Sequence, residues 1–294
     1  MIRSAKGFAL HPRPTKLILP LVMSTVLTPA MERILFPPTV AAANAPLPRR
    51  VLAGAWAAGL DLLFPPHCAS CAAPLPGGTN TALCRACAER IQWLGADRCE
   101  RCGAGMGLGA GVVRECPSCH SYAPAFVHAA CAVARYMEGP VRHLILSLKF
   151  GARQHLGRPL GEMLAQRIRE TELAPPNTLL VPAPLTRRAL RRRGFNQAEE
   201  IAVNAARRLN LPLEARLLRK IRHTQPQATL THEQRRTNLR GAFACDPLVA
   251  ARHKGGRVLL IDDVITTCGT ASECARTLVA AGIGEVRAAA IARG

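Results

Sequence analysis

Residues 258–278 read VLLIDDVITTCGTASECARTL. Four apolar residues, Val258 to Ile261, run into two adjacent carboxylates, Asp262 and Asp263, and a cluster of small hydroxylic residues with one glycine then opens a helical pattern. A short unbroken apolar run is the pattern of a strand buried on both faces, and a strand leading through a turn into a helix belongs to an α/β sheet. In such a sheet ligands bind beyond the carboxyl ends of the strands, which puts Asp262 and Asp263 at the rim of a crevice. Thr266, Thr267, Gly269 and Thr270 follow as the turn, presenting hydroxyls and unpaired backbone N–H groups that suit a phosphate. Carboxylates suit hydroxyls or Mg²⁺. A ligand carrying both kinds of group is a ribose 5-phosphate.

Outward from this stretch the same alternation repeats. Residues 130–151, ACAVARYMEGPVRHLILSLKFG, predict a strand through Tyr136 and then a helix from Gly139-Pro140 with Val141, Leu144, Ile145 and Leu148 on one face. A helix near 156–171, the strand TLLVPAP at 178–184, a helix starting at Asn196-Gln197 and a last strand EVRAAAIAR follow. Strands alternating with helices predict an α/β domain over 129–294 with a mostly parallel sheet.

Twelve cysteines occur, and eight of them form four C-x2-C units: Cys68/Cys71, Cys84/Cys87, Cys99/Cys102 and Cys116/Cys119. Thiolates two residues apart on a tight turn point to one side, and two such turns complete the tetrahedral four-sulfur shell of structural Zn²⁺. The pattern predicts two closed structural zinc sites in a double zinc ribbon; disulfides and Fe–S ligation are the weaker readings of the same cysteines. His67 and His120 are read as neighbours of the sites. Cys131, Cys245, Cys268 and Cys274 lack ligand spacing and read as packed thiols. The stretch 68–119 has few large apolar residues, so metal coordination is expected to supply its folding free energy.

Residues 49–64, RRVLAGAWAAGLDLLF, carry apolar residues at helical period and end at Pro65-Pro66, predicting a docking helix, so that helix and ribbons together occupy 49–128. Before them, basic residues precede LILPLVMSTVLTPAM, and AAANA follows at 41–45, an imitation of a secretory signal. The reduced-thiol zinc pattern argues against secretion, and the apolar run is too short and proline-broken for a span of about 20 residues. Residues 1–48 are read as a disordered extension or as lying upstream of the true start. The expected location is the cytoplasm, including the inner face of the membrane, with no stable membrane span.

The formal charge is +20, and residues 181–254 hold sixteen Lys/Arg against five Asp/Glu, a local +11. Such a run is either a solvated surface or the footprint of an anionic partner such as nucleic acid, nucleotide phosphate or a membrane. Aromatic residues make up only 4%, which argues against a broad base-stacking platform.

The motif VLLIDDVITTCGT resembles the signature of type I phosphoribosyltransferases. That resemblance implies that Asp262 and Asp263 bind the ribose hydroxyls of phosphoribosyl pyrophosphate, with Mg²⁺ as its companion, while Thr266, Thr267, Gly269 and Thr270 hold its 5-phosphate. Most members carry Gly at the position of Cys268. A left-handed backbone there would cost a non-glycine residue about 1–2 kcal/mol, unless Gly269 takes over the conformation.

LDLLFPPHCASC, LKFGARQHLGRPLGEMLA, LLVPAPLTRRALRRRGFNQAEEIA and RKIRHTQPQATLTHEQRRTNLRGAF resemble, in order and spacing, the ComF family over about residues 50–294. That family joins a double zinc ribbon to a phosphoribosyltransferase-like domain and includes proteins needed for natural transformation, in which imported single-stranded DNA is handled in the cytoplasm. The resemblance implies that Arg187, Arg188, Arg191, Arg193, Gly194, Phe195, Asn196 and Gln197 form a pyrophosphate-side loop. Lys149, beside Phe150, would reach a phosphate. Arg219, Arg222, Thr224, Gln227, Arg235 and Asn238 would belong to a loop closing over the site.

Two function classes follow. One is an enzyme in which Asp262 and Asp263 are catalytic, displacing pyrophosphate at the ribose C1 with Mg²⁺ and arginines stabilising the departing charge. The other is a binding protein that keeps the phosphoribosyl site and uses Arg187, Arg188, Arg191 and Arg192 to hold single-stranded DNA within the DNA-uptake machinery.

Overall fold

The computed structural model describes residues 27–37, 65–76, 81–95, 97–106, 116–122, 124–151, 153–222, 224 and 238–294. In chain order the strands are β1 (Ala130–Arg135), β2 (Thr178–Pro182), β3 (Leu218–Lys220), β4 (Phe243–Cys245), β5 (Arg257–Ile265) and β6 (Glu285–Arg293). The helices are α1 (Pro29–Leu35), α2 (Arg85–Glu89), α3 (Pro117–Tyr122), α4 (Pro140–Phe150), α5 (Gly157–Glu170), α6 (Arg187–Arg193), α7 (Gln197–Leu209), α8 (Pro247–Arg252) and α9 (Gly269–Ala280).

Four strands make a parallel sheet of order β1-β6-β5-β2, so the strand read from VLLIDDV lies inside it. β3 and β4 pair antiparallel in a separate two-stranded sheet. Side chains alternate between faces along a strand, and β5 follows the rule. Leu259 and Ile261 enter one apolar cluster with α4, α5 and α7, whereas Val258 and Leu260 enter a second cluster with α9 and β4. The fold is an α/β region with a mostly parallel sheet, preceded by two four-cysteine sites.

Each ribbon packs against a different cluster. Cys68, Leu83, Cys87 and Ile91 of the first join the α4–α5 side, while Cys102, Ala104 and Cys116 of the second join the α9 side. The chain between the two sites also extends the sheet: Leu94 N donates to Val133 O at 3.0 Å and Arg135 N to Gln92 O at 2.9 Å, covering the outer edge of β1. Covering an edge strand removes a template for unwanted pairing.

Two readings are corrected. The segment expected to be a pyrophosphate-side loop is in part a helix, α6, because Thr186 caps it by accepting from Ala189 N and Gly194, at φ +85°, closes it in a left-handed turn. Part of the expected disordered extension is folded: Thr28 caps α1, and its Met31 and Leu35, one turn apart, are each 2% exposed in the core. The expected docking helix at 49–64 lies outside the described residues. No helix among the described residues is long and apolar enough to cross a membrane.

Candidate functional site

The alternation that divides β5 between two clusters also divides its carboxylates. Asp263 continues the face of Ile261 and Asp262 the face of Leu260, so two adjacent residues have different surroundings. Asp263 is 3% exposed; its Oδ1 accepts from Gln197 Nε2 at 3.0 Å and its Oδ2 pairs with Lys149 Nζ. Asp262 is half-buried, and its Oδ1 accepts from the Asp263 backbone N–H at 2.8 Å. Burial first, and the Asp263 charge second, push the Asp262 carboxyl up to about 8 against the pull of Lys149. Of the pair expected at the rim of the crevice, Asp263 is instead a buried acceptor with two partners, and removing such a group leaves those partners unmatched.

Lys220 was not among the residues singled out from sequence. On β3 it shares a face with the buried Leu218, and its Nζ donates to Thr224 Oγ1 at 2.9 Å and lies 5.5 Å from the centre of the Phe243 ring. Burial lowers its pKa, and Cys274 and Asp262 oppose that shift, so its ammonium stands in the field of Asp262. The signal was in RKIR at 219–222: period two puts Lys220 on the buried face and leaves Arg219 outside, where it pairs with Asp246 at 3.4 Å. Arg222 is also exposed, donating to Asn238 O at 2.9 Å and Arg240 O at 2.8 Å. Gln227 and Arg235 lie outside the described residues.

After Ile265 the turn formed by Thr266, Thr267 and Cys268 leads into α9, which starts at Gly269 and Thr270. Cys268 is its N-cap with φ +57° and ψ 9°, a left-handed conformation, and its side chain makes no cap hydrogen bond. The N–H groups of a helix's first turn lack intrahelical acceptors and draw anions. Gly269 does not relieve Cys268 of the left-handed position, because it is not among the residues of positive φ. The thiol turns inward instead, 4% exposed in the cluster that holds Cys102 and Cys116, and burial pushes its pKa up to about 11.

The second ribbon supports this turn through Arg293. Its guanidinium is buried, with Nε donating to Cys102 O at 3.0 Å and Nη1 donating to the carbonyls of Ile265, Thr266 and Gly294. Ala125 N also donates to Ser272 Oγ in α9 at 3.1 Å. Arg293 ends a strand whose pattern is otherwise that of a buried apolar segment, and an arginine there was the available signal of a carbonyl cluster to be satisfied.

Of the predicted arginines, Arg193 reaches the carboxylates indirectly: its Nη1 donates to Gln197 Oε1, and Gln197 in turn bonds Asp263. Arg187, Arg188, Arg191 and Arg192 are exposed on α6, and no hydrogen bond or ion pair of their side chains occurs among the described residues. α6 starts just beyond β2, whose register places Pro182 beside Ile261, so these arginines follow the same sheet end that carries the carboxylates.

The eight ligand cysteines gather into two groups, Cys68, Cys71, Cys84 and Cys87, and Cys99, Cys102, Cys116 and Cys119, with all Sγ atoms of a group within 4.8 Å. The Cys71–Cys84, Cys99–Cys119 and Cys102–Cys116 separations are 3.7, 3.6 and 3.7 Å. A tetrahedron with Zn–S of 2.3 Å has edges of about 3.8 Å, whereas a disulfide needs about 2.05 Å. Both groups fit structural Zn²⁺, and neither histidine neighbour joins them.

Residues 59–120 match the model of a double zinc ribbon domain. The chain is similar to competence protein F of Haemophilus influenzae, 29% identical over 217 residues that cover 72% of this chain and 90% of that protein. DNA utilization protein YhgH of Salmonella typhi is 28% identical over 209 residues, 70% of this chain and 87% of that protein. YhgH of Escherichia coli strain K12 is 32% identical over 152 residues, 50% of this chain and 65% of that protein.

Proposed function

The chain belongs to the ComF family, and from that premise we propose that it acts in DNA uptake, binding phosphoribosyl pyrophosphate with Mg²⁺ and holding single-stranded DNA. One observation carries the ligand assignment: at the end of an inner parallel strand, a half-buried carboxylate precedes a turn that opens a helix whose N-cap side chain makes no cap hydrogen bond. Asp262 meets the ribose hydroxyls, the 266–270 turn accepts the 5-phosphate, and Lys149 and Arg193 stand on the side where pyrophosphate would lie. Asp263 acts by holding Lys149 and Gln197 in place. Mg²⁺, when bound, supplies charge compensation for the pyrophosphate oxygens.

The DNA assignment rests on four exposed arginines of α6 at i, i+1, i+4 and i+5, a cationic stripe without internal partners among the described residues. Guanidinium groups match phosphate oxygens and give salt-dependent binding without sequence preference. The names of the relatives, competence protein F and DNA utilization protein YhgH, agree with a role in DNA uptake.

Calorimetric titration with phosphoribosyl pyrophosphate and Mg²⁺ tests the first assignment. Wild type binds, and Asp262→Asn, in which a half-buried carboxyl becomes its amide, loses affinity while keeping its fold. Equal affinity in both proteins refutes the site. Pyrophosphate release in the presence of a panel of bases would turn the reading into that of an active phosphoribosyltransferase in nucleotide metabolism or salvage. For DNA, anisotropy of a labelled single strand across a salt series reports a slope of about 0.7 per phosphate neutralised, and replacing the four arginines by Ala flattens it by up to about 3. Superimposable slopes remove α6 from the DNA surface.

A further inference from the structure

Phe150 ends α4 with 68% of its surface exposed, an unusual position for a large apolar ring. It is not loosely placed. The Arg193 guanidinium lies over the ring, 5.2 Å from its centre. Arg193 Nη1 donates to Gln197 Oε1, Gln197 Nε2 donates to Asp263 Oδ1, and Asp263 Oδ2 pairs with Lys149, the residue next to Phe150. The contacts close a circuit through α4, α6, α7 and β5, and each member fixes the next. A ring so held gains little from its own burial, yet keeps most of its surface open.

We infer that the Phe150–Arg193 pair is a preformed stacking ledge for a nucleobase at the rim of the carboxylate site. Three features converge on that ligand. An aromatic ring stacks on a base of any identity, because every base has a π face. A guanidinium lies against the ring and carries the planar fork that stacks with π systems. The exposed arginines of α6 sit in the same short helix as Arg193, so phosphates drawn to Arg187, Arg188, Arg191 and Arg192 would bring bases beside the ring. The ledge rests on the reading of this rim as a phosphate site and adds to it the place where a base would go. That base has two sources, a single strand or a free acceptor base.

The test uses the full chain, with Phe150→Leu to remove the ring and Phe150→Trp to keep it and make it fluorescent. Phe150 is exposed, so neither change opens a cavity in the core. The probes are labelled oligothymidine and an abasic strand of the same length and charge. Phe150→Leu should weaken oligothymidine binding by roughly five- to 150-fold, the range for one stacked base, and leave abasic binding unchanged. Phe150→Trp should retain the affinity, and its emission, taken as the difference from wild type, should be quenched by oligothymidine and not by the abasic strand. Equal loss on both strands, or no loss on either, overturns the ledge for DNA. If neither strand binds wild type, the DNA reading fails and the ledge is judged on free adenine and thymine: quenching of Phe150→Trp by either base supports it as an acceptor platform, and no quenching overturns it.

Discussion

The two ribbons carry the same donor set and have different neighbours. The first packs against the α4–α5 face, where Ser70 Oγ bonds His143 Nδ1 at 3.0 Å and Arg85 pairs with Glu32 at 2.9 Å across exposed surface. The second packs against the opposite face, where a buried arginine joins its Cys102 carbonyl to the carbonyls of Ile265 and Thr266. A ligand shell alone does not define what a structural metal site does. The first ribbon supports the helical layer, and the second is part of the wall behind the turn at 266–270.

The sharpest way to break this comparison is to open one ribbon at a time. Wild type should hold two Zn²⁺ per chain, and Cys71→Ser with Cys84→Ser or Cys102→Ser with Cys116→Ser should each leave one by elemental analysis. Only the second pair should reduce phosphoribosyl pyrophosphate affinity by more than about tenfold, the effect expected when outer support of a site is lost. The first pair should lower the melting temperature and leave affinity near wild type. Equal losses of affinity in both would show that the ribbons are equivalent supports.

A smaller effect is expected from the ties rather than the metals. Arg293→Met leaves the buried Cys102 carbonyl without this donor, at about 1–3 kcal/mol for a group so stranded, and should weaken ligand binding with both zinc ions retained. Arg85→Ala removes an exposed pair and should leave the denaturation midpoint unchanged. Urea titration of the two variants with zinc analysis separates the cases.

A pH effect belongs to the second ribbon's face of the sheet. Folding raises the Asp262 carboxyl to about 8 from about 4 in the unfolded chain. Between those values the folded protein holds a proton that the unfolded chain has released, so this group's contribution makes stability fall as pH rises from about 4 to about 8 and adds no slope beyond. Asp262→Asn should remove that part of the decline, with the variant gaining on wild type as pH rises. Thermal unfolding at pH 5, 6, 7 and 8 measures it, and parallel curves would contradict the assignment.

The smallest effect should come from Cys268→Gly. Releasing a left-handed non-glycine residue gains about 1–2 kcal/mol, and losing a buried thiol beside Cys102 and Cys116 costs a similar amount. Stability should change by less than about 1 kcal/mol, with affinity altered about threefold at most. A large gain in either would mean that the thiol contributes little to the contact between ribbon and turn.

Much of the fold was legible because its signals are local. VLLI at 258–261 and AAAIA at 288–292 are unbroken apolar runs, and the structure makes strands of Arg257–Ile265 and Glu285–Arg293 around them. Asn196 announced α7 as a capping residue, and C-x2-C spacing announced both thiol groups. The site was less legible because its residues are assigned by facing and by distant partners. That Asp262 and Asp263 point to opposite faces follows from strand period, but that Lys149 pairs with Asp263, or that Arg293 reaches Cys102, depends on contacts across more than a hundred residues. Resemblance alone places the RRR run in a loop, although arginine is a good helix former, and the caps Thr186 and Gly194 fix it as a helix.

Helix α1 bears on how this protein is handled at the bench. The match to the double zinc ribbon model starts at residue 59, and a chain trimmed there for expression would seem complete by every motif it carries. It would lack Met31 and Leu35, two of the fully buried side chains of the α5 face, and Glu32, the partner of Arg85. Vacating two large apolar positions exposes the residues beneath them to water and to other chains, so such a fragment would be prone to collect in inclusion bodies. The boundary for a well-behaved soluble preparation belongs before Thr28, some thirty residues upstream of the family match.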